Sequence, residues 1–153
     1  MYLPPAKTKR KPTLRRLLYR AGMLLGLLWA LPLTLLGLLL ALPIVISGGR
    51  IYIVLNPIPA LLIRGPFADY VLQRHPFGAM SAMAIGHIVI AAKHGLTKET
   101  ITHELVHVQQ AARWGILFPF VYVASSVWAA LHGKDAYWYN VFEIAARKAE
   151  KRG

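Results

Sequence analysis

Thr97-Lys98-Glu99-Thr100-Ile101-Thr102-His103-Glu104-Leu105-Val106-His107-Val108-Gln109-Gln110-Ala111-Ala112-Arg113-Trp114-Gly115 reads as one helix with both ends marked. Thr97 is a good N-cap, Glu99 suits the positive end of the helix dipole, and Arg113 followed by Gly115 supplies a terminal cation and a stop. Ile101, Leu105, Val108 and Ala112 recur at helical spacing and should face the core. His103 and His107 fall off that stripe. Residues four apart share a helix face one turn apart, so two imidazoles at this spacing can grip one metal ion. Glu104 is turned about a quarter of the way round from His103, where it can reach a water on the metal without ligating. Zinc lowers the pKa of a bound water from near 16 to about 7, and a carboxylate placed this way takes the proton.

A catalytic zinc has three protein ligands and keeps a fourth position open. The third ligand must come from outside this helix, and Glu143, His132, His94, His87 and Asp135 are the candidates. Glu143 stands out because it lies among Val141, Phe142, Ile144 and Ala145, where an acid needs a partner to be buried. His132, with Tyr137 or Tyr139, could stabilise a tetrahedral oxyanion.

Working outward, residues 86–91, Gly86 to Ala91, form a strand candidate just upstream of the helix. Arg50 to Leu55 is a second, rich in β-branched and aromatic residues and stopped by Asn56-Pro57-Ile58-Pro59. Leu61 to Arg64 is a third. Residues 66–82 read as irregular. A closing helix is expected from about Tyr137 to Lys151.

From Ala21 to Gly49 no side chain is charged. About 20 apolar residues cross a bilayer core, so residues 21–47 read as an uncleaved transmembrane anchor. A cleaved signal peptide ending near Val45 and Ser47, or a hairpin bent at Pro32, are the alternatives. Residues 1–20 hold seven of the 18 basic residues and no acid. Basic residues ahead of an apolar run resist translocation, so the N-terminus is expected in the cytoplasm and the zinc domain outside it. With Pro4, Pro5 and Pro12 the tail reads as disordered. The net charge of +12 raises nucleic acid as a partner, but no basic stripe with interleaved aromatics supports it, and none is expected. The chain has no cysteine, which excludes disulfides and thiolate metal sites. A second uncharged stretch, residues 114–131, reads as a membrane span, a lipid-facing helix or a buried one.

His103-Glu104-x-x-His107-x-x-Gln110 followed by Asn140-x-x-Glu143-x-x-Ala146 resembles the gluzincin type of zinc metallopeptidase, especially its small bacterial members. The resemblance covers roughly residues 84–150. It implies zinc ligands His103, His107 and Glu143, a base at Glu104, and a substrate-holding strand at Gly86 to Ala91. Related families orient a zinc histidine with an Asp where this chain has Arg147, so a supporting carboxylate must come from elsewhere or be missing. If Glu143 is a ligand, residues 114–131 cannot cross the membrane once, because His103 and Glu143 would end on opposite sides.

The expected architecture is α+β: a basic tail (1–20), a transmembrane helix (21–47), and a small zincin-like domain (48–153) with a short sheet and an active-site helix. The expected function is that of a membrane-anchored zinc metallopeptidase, hydrolysing peptide or protein substrates with a zinc-bound water activated by Glu104. The alternative is a catalytically inactive zinc-binding membrane protein acting as an interaction module. An intramembrane protease fits less well, because Lys98, Glu99, Gln109, Gln110 and Arg113 are expensive in lipid.

Overall fold

The computed structural model describes residues 14–74, 78–94 and 96–152; the expectations for residues 1–13 lie outside them. The described residues mix helix and sheet in an α+β arrangement. The elements are α1 (Leu14–Trp29), α2 (Leu31–Ile46), β1 (Arg50–Val54), β2 (Ala60–Arg64), α3 (Pro66–Gln73), β3 (Ala82–Ile85), β4 (Ile88–Ala91), α4 (Lys98–Trp114), α5 (Phe118–Leu131) and α6 (Val141–Glu150).

The four strands form one sheet in the order β1-β2-β4-β3. β1 pairs antiparallel with β2, β2 parallel with β4, and β4 antiparallel with β3. Successive side chains of a strand point to opposite faces. One face of the sheet carries Leu62, Val89 and Ala91 against Leu105 and Val108 of α4. The other carries Ile63, Ile88 and Ile90 against Ala41 and Ile44 of α2 and Ala68 and Leu72 of α3. The helical stripe Ile101–Leu105–Val108–Ala112 therefore meets the sheet as its spacing required.

Several expectations are corrected. Residues 66–82 are not irregular throughout: Pro66 opens α3, with Asp69 in its first turn, and Ala82 begins β3. Pro at a helix start loses no hydrogen bond, so here it initiates a helix. The final helix starts at Val141, because Asn140 takes an extended backbone and its side chain caps the Phe142 N–H.

Residues 21–47 are not one helix but parts of two, bent by 60°. The break falls at Ala30, where the Pro32 ring would meet the carbonyl four residues back. α2 packs on the sheet and on α3, and α1 packs along α4. The α2 face toward the sheet carries Leu33, Gly37, Ala41 and Ile44, and a Cβ on Gly37 would lie 2.6 Å from the Ile85 carbonyl oxygen. Its opposite face exposes Leu35, Leu36, Leu39 and Leu42.

By length and composition, the run Lys98–Leu131 is apolar and long enough to cross a membrane, as is the bent pair Ala21–Trp29 with Leu31–Ile46 if taken as one span. The first run is not a straight rod. Its residues His107 and Tyr122 would be about 22 Å apart along a continuous axis, yet their ring centroids are 6.3 Å apart. The chain turns at Gly115, with φ 56° and ψ −137°. A Cβ at this position would also strike the Trp29 ring, so the glycine serves both the turn and the packing of α1.

Candidate metal centre

α4 presents His103 and His107 on the side away from the sheet, and α6 covers them. The two Nε2 atoms lie 3.0 Å apart. Glu143 of α6 bridges them, with Oε2 3.2 Å from His103 Nε2 and Oε1 3.2 Å from His107 Nε2. Ligands about 2 Å from one tetrahedral zinc are separated by about 3.3 Å. All three residues are buried.

The far sides of the rings decide what the gap between them requires. His103 Nδ1 is 2.5 Å from Glu150 Oε1. His107 Nδ1 is 2.8 Å from Gln110 Oε1. The Gln110 amide is fixed in that sense because its Nε2 donates to the Phe142 carbonyl at 3.1 Å. Both Nδ1 atoms thus face acceptors and carry hydrogen. In neutral rings both Nε2 lone pairs then point at each other and at a carboxylate. Glu143 Oε2 is buried without a hydrogen-bond partner among the described residues. A cation bound by all three atoms relieves the repulsion and supplies that partner, and two imidazoles with a carboxylate suit zinc. His103, His107 and Glu143 are the group able to hold a metal ion among the described residues.

Without a metal, a proton takes part of that role. Burial disfavours a charged His103, but Glu143, Glu104 and Glu150 beside it outweigh this and hold the ring above its ordinary value. Burial likewise pushes Glu143 up, and is outweighed by the two imidazoles and the Tyr122 hydroxyl, which keep its carboxyl far below the usual range. Tyr122 donates to Glu143 Oε1 at 2.8 Å. Glu104 is raised, because burial outweighs the pull of His107 and His103; the backbone N–H of Ala84 in β3 is hydrogen-bonded to it. A carboxylate made more basic in this way suits proton abstraction.

The remaining candidates sit elsewhere. His132 lies away from the cluster: its Nδ1 pairs with the Trp128 carbonyl at 2.8 Å, ten residues or about 15 Å along the chain from Tyr122. The exposed ring of Tyr139 lies under Lys134 Nζ, 5.3 Å from its centroid. Tyr137 feels the Glu143 carboxylate, and burial together with that charge pushes its phenol up to about 12. His87 Nδ1 donates to the Pro59 carbonyl at 2.6 Å. Asp135 accepts from the Tyr137 and Trp138 N–H groups. His94 lines a small cleft with Asp69, Leu72 and Met80.

The substrate strand is also corrected. Gly86 and His87 form the turn of the β3–β4 hairpin, and β4 is paired on both edges, so it has no free backbone to offer a peptide. β3 is the edge strand, and it lies against α4 beside Glu104.

Two supporting residues were not read from the sequence. Glu150 supplies the carboxylate that Arg147 does not, and its signal was available: it follows Glu143 by seven residues, two turns along the same face. Arg147 instead donates to the Trp138 carbonyl and stacks 4.4 Å over the Trp138 ring. Tyr122 had no local signal, since its partner lies 21 residues away across the α5–α6 hairpin.

No family model matches the chain, and the comparisons with curated proteins and with solved structures give no match either.

Proposed function

We propose that this chain is a membrane-associated zinc-dependent metallopeptidase of the gluzincin type. The observation that carries the proposal is the pair of imidazoles whose Nδ1 atoms are both committed to acceptors, leaving two Nε2 atoms and the Glu143 carboxylate converging on one point. When bound there, zinc supplies a Lewis acid and an acidified water. His103, His107 and Glu143 hold it. Glu150 and Gln110 fix the ring orientations, and Tyr122 fixes the carboxylate. Glu104, buried and raised, takes the proton and returns it to the leaving amine. Tyr137, kept protonated, offers an O–H near developing negative charge. The free edge of β3 gives an extended peptide a backbone to pair with, next to Glu104. Glu150 beside His103 weighs against one motive for a silent interaction module, the lack of a supporting carboxylate.

The apolar outer faces of α1 and α2 support a lipid environment for that half of the molecule; in this reading the charge rule puts the N-terminus in the cytoplasm and the site on the other side.

The test is a matched pair of measurements on purified full-length protein. Wild type should hold about one zinc per chain, as one site of this kind does. Glu104→Gln should keep the zinc and lose peptidase activity by about a hundred- to ten-thousand-fold. Undiminished turnover in Glu104→Gln would remove the mechanism.

A further inference from the structure

α5 is built inside out. Its polar side chains turn inward to α6: Ser125 accepts from the Val141 N–H at 3.0 Å, Ser126 is 2.8 Å from Asn140 Nδ2, and Tyr122 bonds to Glu143. Its outward residues are Phe120, Val123, Val127, Trp128 and Leu131, each from half to three-quarters exposed. A helix facing water has the opposite polarity. The outward face continues through exposed Ile116 and Leu117 to the α1–α2 break, where Trp29 packs on Gly115 and exposed Leu28 and Leu31 flank it.

Beyond the C-terminal end of α5 the character of the surface changes. Tyr137, Trp138 and Tyr139 are each about half exposed. Lys134 lies over Tyr139, and Arg147 over Trp138. Aromatic rings with cations beside them are the composition of a membrane–water boundary, and cations there match anionic headgroups.

We propose that α5 is a shallow, half-inserted membrane helix, with residues 137–139 as its headgroup-level rim, so that the metal centre opens at the lipid surface. This rests on the metallopeptidase reading and narrows it: peptides reach the site along the bilayer. Half-insertion follows from length and connection. Fourteen residues extend about 21 Å, short of a core of about 30 Å, and the chain must return for Glu143 to meet His107. Tyr122 joins the two regions, because it sits on α5 and its hydroxyl donates to Glu143 at 2.8 Å.

The chain has no cysteine, so single cysteines can be placed cleanly. Val127→Cys, Tyr139→Cys and, as a water-exposed reference, Lys93→Cys would each be spin-labelled in the zinc-loaded full chain. The labelled proteins would be reconstituted in phosphatidylethanolamine–phosphatidylglycerol vesicles. Collisions with dissolved oxygen and with an aqueous nickel chelate report depth. The expected result is an oxygen-to-nickel ratio several-fold higher at 127 than at 93, with 139 between them. A ratio at 127 equal to that at 93 overturns the proposal. So does a label at 127 shielded from both reagents with spin–spin broadening, which marks a second copy as the occupant. Val123→Cys replaces Val127→Cys if the latter does not bind zinc. Zinc content is read separately on the unlabelled chain: its absence there would sink the metallopeptidase reading and leave the depth measurement standing.

Discussion

Replacing Glu150 with alanine tests whether the centre is supported as the geometry says. Glu150 Oε1 lies 2.5 Å from His103 Nδ1, and its side chain is 32% exposed. Removing an outer carboxylate from a zinc-bound histidine costs about 10- to 100-fold in metal affinity. Because water can reach a third of this side chain and partly replace the bond, the expected loss lies at the low end, about tenfold or ~1.4 kcal/mol. Glu150→Gln should lose less, since its amide oxygen still accepts from Nδ1–H and only the charge is gone. The assay is zinc partition between the full chain in detergent and a chelator of known affinity, near neutral pH. Lys151→Ala, one exposed residue further on, serves as the control and should leave affinity unchanged. If Glu150→Ala binds zinc as tightly as wild type, the contact is incidental and the centre lacks the support argued for it.

Tyr122→Phe removes a hydrogen bond to a buried carboxylate, worth about 1.5 kcal/mol at least, and should weaken zinc by about tenfold; an unchanged chelator competition would count against its role. Gly37→Ala drives a Cβ to 2.6 Å from the Ile85 carbonyl and 2.9 Å from Ile88 Cβ, so overpacking should cost about 1–3 kcal/mol, read as a lowered thermal midpoint in detergent. In chelator, stability should fall as pH rises through the histidine range. His103 is raised from 6.5, so its contribution is complete below that value and lost as pH passes its folded value. Glu104, also raised, acts in the same direction, while depressed Glu143 contributes steadily until pH falls below 4.5. Zinc should reverse the trend, because it needs deprotonated rings. A chelated protein that melts higher at alkaline pH would contradict the pairing of His103 with its carboxylates.

The helix α4 was legible because every cue in it was local: Thr97, the apolar stripe and Gly115 lie within one stretch. Glu143 was legible by a different route, the cost of burying an acid among apolar neighbours. What the sequence hid was non-local. α3 lay in a stretch whose glycine and proline read as loop, when Pro66 was a helix start. β3 is a four-residue strand of Ala, Met and Ile with no alternation, and only its pairing with β4 defines it. The uncharged stretch from Ala21 looked like one span because hydropathy carries no direction; the bend follows from a proline and from a sheet waiting to receive Gly37, Ala41 and Ile44. The inward polarity of α5 was written in Ser125 and Ser126 but had no meaning until α6 stood opposite them.

The polar groups that hold the two rings from outside α4 belong to α6 or are reached through it: Glu143, Glu150 and the Phe142 carbonyl. A ten-residue helix is too short to persist alone in water. Under the proposed function the ion would therefore be a latch as well as a reagent: the closing helix would have to dock and be fastened before the two histidines and Glu143 could serve hydrolysis, and a half-made or metal-starved chain would expose two idle histidines.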